Sequence, residues 1–154
     1  FNLKAIPELT TVGQGSYSYL FWQLYDARLA TADGRFSGYQ QSSPVLLELT
    51  YKRDISARQF VDATVDEWQK LNNCSESQQQ AWAEQLLTLW RDVKEGDALA
   101  ALLSADGRVM FYLNGEALGE VEDSAFGPAF FDIWLHPDTS APKLRRNLLA
   151  KGQN

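Results

Sequence analysis

A chain of 154 residues, 45% of them hydrophobic and 22% charged, has the size and composition of one folded domain, and residues 1–154 read as a single unit. The net charge of −6 repels a nucleic-acid backbone overall, and the cations Lys143, Arg145, Arg146 and Lys151 sit where positive charge suits the end of a helix. One cysteine, Cys74, and one histidine, His136, exclude an internal disulfide and a metal centre rich in thiolate or imidazole, and no apolar run reaches the length of a membrane span.

From Tyr17 to Leu29 both alternating sets of residues are bulky, which predicts one long strand covered on both faces. Asp33-Gly34 is a turn signal, and Arg35 to Tyr39 is expected to form a short return strand. Pro44 opens a second strand through Arg53, with Val45, Leu47, Leu49 and Tyr51 on one side. Ser56 and Gln59 then spell a capping box, flanked by Ile55 and Phe60 as a hydrophobic staple. The helix that follows has Phe60, Val61, Thr64, Trp68 and Leu71 on one face. A second capping box, Ser75 and Gln78, starts a helix whose stripe is Trp82, Leu86, Leu89, Trp90 and Val93 and whose end is Gly96.

Two strands are predicted next, Asp97 to Ser104 and Arg108 to Leu113, joined through Ala105-Asp106-Gly107. Asn114-Gly115 is a strong type I′ hairpin signal, since both turn residues need positive φ, and it leads into Glu116 to Val121. Asp123 or Ser124 can cap a third helix that buries Phe126, Phe130, Ile133 and Trp134, with Pro128 tolerated only near its first turn. Ser140 is expected to cap a last helix, with Pro142 in its first turn, Leu144 and Leu148 inward and Gly152 beyond its end. Strands, two helices, a hairpin group and two more helices make an α+β domain with helices packed on a mostly antiparallel sheet.

Few residues suggest chemistry. Gly13-Gln14-Gly15-Ser16 precedes a strand and lacks the Lys of a phosphate-binding loop. His136 follows a helix, where bracing a loop is the simpler role, and Cys74 has no histidine near it in sequence. Asp62, Asp66 and Glu67 lie mostly opposite the apolar stripe of their helix and read as a solvated face. Asp26 and Glu48 fall inside strands, either as cross-strand partners of Arg28 or Lys52 or as polar anchors in a pocket. No catalytic residue, metal ligand or cofactor site emerges.

The segment GQGSYSYLFWQLYDARL, Gly13 to Leu29, resembles the opening strand of the chalcone isomerase-like proteins. LELTYKRDIS, EGDALAALLS, VMFYLNGEALGEVED, FGPAFFDIWL and TSAPKLRRNLL extend the resemblance over nearly the whole chain. It is most similar to the bacterial branch, whose members usually carry an export signal. The resemblance implies a long, mostly antiparallel sheet with helices layered on one face and a cleft between them. It also implies two activities. Plant enzymes cyclise a chalcone to a flavanone with an Arg and a hydrogen-bond network, and other members bind fatty acids, holding the carboxylate with an Arg and a Tyr.

That Arg normally follows the glycines before the first long strand. Aligning Gly15 and Tyr25 without gaps puts Tyr17 in its place, and neither Gln14 nor Ser16 supplies a permanent charge. A phenol gives one neutral donor where a cation would hold a carboxylate or an oxyanion. Arg28 or Arg53 could substitute only if the cleft reached them. Tyr25 lies near the position where the enzymes use a hydroxyl, Tyr51 is similar, and strand packing explains a Tyr equally well.

The expectation is a non-catalytic, periplasmic or otherwise exported protein that binds an apolar or amphipathic small molecule, with Tyr17, Tyr25, Tyr51 and Arg53 as cleft candidates. The start at Phe1 fits removal of a secretory signal and equally a trimmed end. One rival is an isomerase or intramolecular lyase on an enone-like substrate, with Tyr25 donating to the oxyanion. Another is an interaction module whose exposed aromatics meet a protein partner.

Overall fold

The structure, a computed structural model, describes residues 7–19 and 22–150. Within them β1 (Thr10–Tyr19), β2 (Trp22–Thr31), β3 (Val45–Tyr51), β4 (Ala98–Leu103), β5 (Val109–Leu113) and β6 (Glu116–Val121) form one sheet. All neighbours are antiparallel and the order is β1-β2-β3-β4-β5-β6. The helices are α1 (Tyr39–Ser42), α2 (Ala57–Leu71), α3 (Glu76–Leu89), α4 (Phe126–Leu135) and α5 (Pro142–Leu148).

The helices cover one face of the sheet. Val45, Leu47, Leu49 and Tyr51 of β3, Leu99, Ala101 and Leu103 of β4, and Val109 and Phe111 of β5 point into the main core. There they meet Trp68 of α2, Trp82 and Leu86 of α3, and Phe126, Phe130 and Trp134 of α4. Side chains of period two on the strands and period 3.6 on the helices make this one continuous interior. The other sheet face carries a smaller apolar cluster of Ala30, Leu46, Ala100, Leu102 and Tyr112.

Both capping boxes form. Ser56 Oγ accepts from the Gln59 amide and the Gln59 side chain accepts from the Ser56 amide, and Ser75 and Gln78 repeat the pattern. Neither Asp123 nor Ser124, the expected caps, is the N-cap of α4: that residue is Ala125, without a side-chain cap bond, while Asp123 Oδ1 accepts from the Ala125 amide just before the helix and Oδ2 from Trp82 Nε1 of α3. Pro128 falls in the first turn of α4, where a missing amide costs nothing.

Four further expectations are corrected. The segment expected as one strand from Tyr17 to Leu29, covered on both faces, is parts of two, and Ser18 and Gln23 within it are exposed. Tyr17 pairs with Tyr25 and Tyr19 with Trp22, so the chain reverses between Tyr19 and Trp22; Leu20 and Phe21 lie outside the described residues. The glycines before it belong to β1 and admit α5, because a Cβ on Gly13 would collide with the carbonyl oxygen of Asn147. Arg35 to Tyr39 is not a strand. The Ser37 amide donates to Ser42 Oγ rather than to a sheet neighbour, and Tyr39 begins α1.

The second long helix stops at Leu89. Trp90 turns extended and stacks on Phe60 with ring centroids 4.3 Å apart, and Val93 pairs with Ile55. Residues 86, 90 and 93 mimic helical spacing while only the first is helical. Ser140 does not cap the last helix. Ala141 is its N-cap residue, and the Ala141 amide donates to Thr139 Oγ1. Gly152, expected beyond that helix, lies outside the described residues.

Asn114 and Gly115 both have positive φ, 52° and 85°, as the hairpin requires. No atom lies within 4 Å of the position a Cβ would take on Gly115, so substitution there tests backbone conformation alone. Gly115→Ala is expected to lower the unfolding free energy by about 1 kcal/mol in urea denaturation.

Candidate functional site

The register of the first three strands lines up Tyr17, Tyr25 and Tyr51 as direct cross-strand partners. All three pack with the main core rather than on the outer face. The rings of Tyr17 and Tyr25 stack with centroids 5.4 Å apart, Tyr25 meets Tyr51 edge-on at 5.9 Å, and Tyr51 meets Phe60 at 5.8 Å. Cross-strand neighbours come this close because strands lie about 5 Å apart.

Helix α2 lies over this row and presents Phe60, Ala63, Thr64 and Glu67 at intervals of three, four and seven residues, one face of a helix. Trp134, in the last turn of α4, and residues 139–141 close the space. Together they bound a cavity of about 150 Å³. Pockets that enclose drug-sized ligands run to roughly 300–1,000 Å³, so this one suits a small molecule or one end of a larger one. Tyr17, Ser140 and Ala141 also line an open groove between β1 and α5, with Lys143 at its side.

The cavity is apolar with a few placed polar atoms. Trp134 Nε1 donates to Tyr25 Oη at 2.8 Å, which leaves the Tyr25 proton available to an acceptor. Tyr51 is 1% exposed, and its hydroxyl has no hydrogen-bond partner among the described residues. Burial pushes the hydroxyls of Tyr25 and Tyr51 above the ordinary tyrosine value, so both are neutral phenols at physiological pH. Glu67 is the one charged side chain among the lining residues, and Lys70 pairs with it from outside at 3.5 Å.

Three of the four expected site residues, Tyr17, Tyr25 and Tyr51, therefore meet at one cavity. Arg53 does not join them: it is exposed beyond the end of β3 and outside the lining residues. Arg28 is equally remote. It lies on the opposite face of β2, donating through Nη1 to Thr11 Oγ1 at 3.0 Å and lying 3.4 Å from Glu48. Lys52 pairs with Asp26 at 3.1 Å. Asp26 and Glu48 are thus cross-strand partners on the outer face, and among the described residues no arginine or lysine lines the cavity.

Glu67 was expected on a solvated helix face. Its spacing from Phe60 and Thr64 continues the buried stripe, which was the available signal, but Asp62 and Asp66 around it hid that. Phe60 and Trp134 were legible as buried residues, without any sign that they would border a space.

Other reactive types have structural partners. His136 Nδ1 accepts from the Asp138 amide at 2.9 Å and braces a loop. Burial raises the Cys74 thiol, leaving it a poor nucleophile. Tyr39 Oη donates to Asp132 at 2.6 Å and ties α1 to α4. Among the described residues no three His, Cys, Asp or Glu side chains stand close enough to hold a metal ion.

Comparison with known proteins follows the same outline. The family model described as chalcone isomerase-like matches residues 19–150. A Haemophilus influenzae protein of uncharacterised function is 26% identical over 151 residues, which is 98% of this chain and 73% of that one. The crystal structure of an Arabidopsis thaliana fatty-acid binding protein superposes with a TM-score of 0.73, covering 96% of this chain and 90% of its own at 9% identity. At that identity the likeness is one of fold.

The buried phenols make stability depend on pH in one direction. Below the ordinary value of 10.0 both states of the chain keep these protons. Above it the unfolded chain loses them while the folded one still holds them, so stability falls as pH rises through that range. Tyr51→Phe removes an unpaired buried hydroxyl and is expected to raise the unfolding free energy by up to about 1 kcal/mol at neutral pH. It should also make the alkaline decline shallower, as read from urea denaturation at a series of pH values.

Proposed function

The chain belongs to the chalcone isomerase-like family, and from that premise we propose that it is a non-catalytic member binding a small apolar or amphipathic molecule between sheet and helices. The observation that carries this is the cavity at Tyr17, Tyr25 and Tyr51, whose lining has buried phenols and, among the described residues, no arginine or lysine. The Arabidopsis fatty-acid binding protein of the same fold supports a ligand cavity in this architecture. The lining chemistry argues for a different head group here. Burying a carboxylate without a paired charge costs several kcal/mol, and Glu67 adds like-charge repulsion.

The rival enzymatic reading rests on Tyr25. Its hydroxyl accepts from Trp134 and keeps its own proton to donate, which is the arrangement an enolate oxygen would need. Against it, neutral phenols are the only hydroxyl donors in the row, with no permanent cation among the lining residues to hold the developing charge. Chalcone cyclisation is expected to run at the buffer rate; a faster rate that Tyr25→Phe lowers would establish the enzyme reading instead. Export from the cytoplasm is part of the proposal on the strength of the resemblance to the bacterial branch, and fractionation of expressing cells tests it.

The direct test is calorimetric titration with a medium-chain fatty acid and its matched alcohol at the same pH and salt. The alcohol is expected to bind at least as tightly as the acid, and Tyr17→Arg to shift the preference toward the acid. Tight binding of the acid that is lost on replacing Lys143, Arg28 or Arg53 by Met would overturn this preference, and would place a carboxylate at that side chain.

A further inference from the structure

We propose that the cavity is selective for a small organic cation, a quaternary or protonated ammonium carried on a short apolar body. This rests on the cavity being the ligand site and goes further by assigning the charge of the ligand. Five aromatic side chains, Tyr17, Tyr25, Tyr51, Phe60 and Trp134, share the lining of one space of about 150 Å³. Four of them follow one another at centroid spacings of 5.4, 5.9 and 5.8 Å, and the fifth is fixed by its hydrogen bond to Tyr25. Aromatic rings gathered round a small space attract an ammonium group through their quadrupoles, and the attraction grows when water is excluded.

Charge points the same way. Among the described residues Glu67 is the single ionic side chain in the lining, at a position 21% exposed. Its partner Lys70 is 64% exposed and 3.5 Å away, a surface pairing that screens Glu67 only weakly. Lys143 lines the outer groove between β1 and α5. Tyr25 and Tyr51 remain protonated because they are buried, so the rings contribute faces and dipoles rather than a second negative charge. An ammonium in this space meets aromatic surface and one carboxylate. An uncharged ligand of equal shape keeps only the apolar contacts, and a carboxylate is repelled.

The test uses three probes of one shape: choline, the alcohol in which a tert-butyl group replaces its trimethylammonium, and the anion of tert-butylacetic acid. Each is titrated by calorimetry into the whole chain. Choline is expected to bind about tenfold more tightly than the isosteric alcohol, with the anion weakest. Glu67→Gln should remove most of the choline preference while leaving the alcohol unchanged. Phe60→Leu, which keeps apolar bulk and removes a ring, should weaken choline more than the alcohol; it serves as the readout if thermal unfolding shows that Glu67→Gln does not fold. If the alcohol binds as tightly as choline or more tightly, the cation proposal is overturned while the apolar-ligand reading stands. A choline preference that survives both substitutions also overturns it, because neither the carboxylate nor the ring would then be its source. Tightest binding by the anion, or entry by none of the three, overturns both readings.

Discussion

Helix α4 has almost no side that can face water. Its sequence is FGPAFFDIWL, Asp132 is the only ionisable residue in it, and eight of its ten residues are buried. Such a helix is stable only when covered nearly all round, and the rest of the domain supplies the cover. Phe111 of β5 lies edge-on to Phe126 and Phe130 from the sheet side, and Trp82 of α3 packs against Phe126. Trp68 of α2 donates Nε1 to the Ala129 carbonyl at 3.1 Å, so the same indole that fills the core also fixes the spacing of α2 and α4. Asp132 accepts from Tyr39 Oη, which turns the one ionisable residue of the helix into the anchor for α1.

The candidate site follows from where this cover thins. Toward α3 the interior is filled by Trp82, Trp90, Phe111, Phe126 and Phe130 in mutual contact. Toward β1 the last turn of α4 offers Trp134, and the strands answer with three tyrosines rather than with branched aliphatics. Flat rings on a twisted sheet and a helix above them do not close completely. The unpaired hydroxyl of Tyr51 is a local cost in the same place. A core selected for stability alone would have Phe there.

Alternation along the strands sorts the electrostatics. On β2, Tyr25, Ala27 and Leu29 face the helices while Asp26 and Arg28 face outward, and on β3 Tyr51 and Glu48 divide in the same way. Every ionic partner supplied by these strands is therefore spent on the outer face, as Arg28 with Glu48 and Lys52 with Asp26. The cavity side is left with phenols, and among the described residues the only formal charge lining it comes from the helix, at Glu67. The field inside the cavity is set by one residue of α2 rather than by the sheet.

Much of this was legible without coordinates. The two capping boxes name their helix starts because each is a local exchange of hydrogen bonds within four residues. Asn114-Gly115 names its hairpin because few dipeptides tolerate two positive φ angles. The run of motifs named the family, and with it the fold and the interest of Tyr17, Tyr25 and Tyr51. What local patterns left undecided were relations between segments distant in the chain. The reversal between β1 and β2 is invisible to alternation, since the two arms of the hairpin read as one run of bulky residues. Trp90 keeps helical spacing while its backbone is extended, because packing on Phe60, thirty positions earlier, outweighs propensity. Tyr51 and Arg53 stand two positions apart and have different fates: one closes a cavity, while the other lies past the strand end where period two no longer holds. Glu67 reads as a surface charge until α2 is laid across the tyrosine row, because a helical wheel tells which residues share a face but not what that face meets.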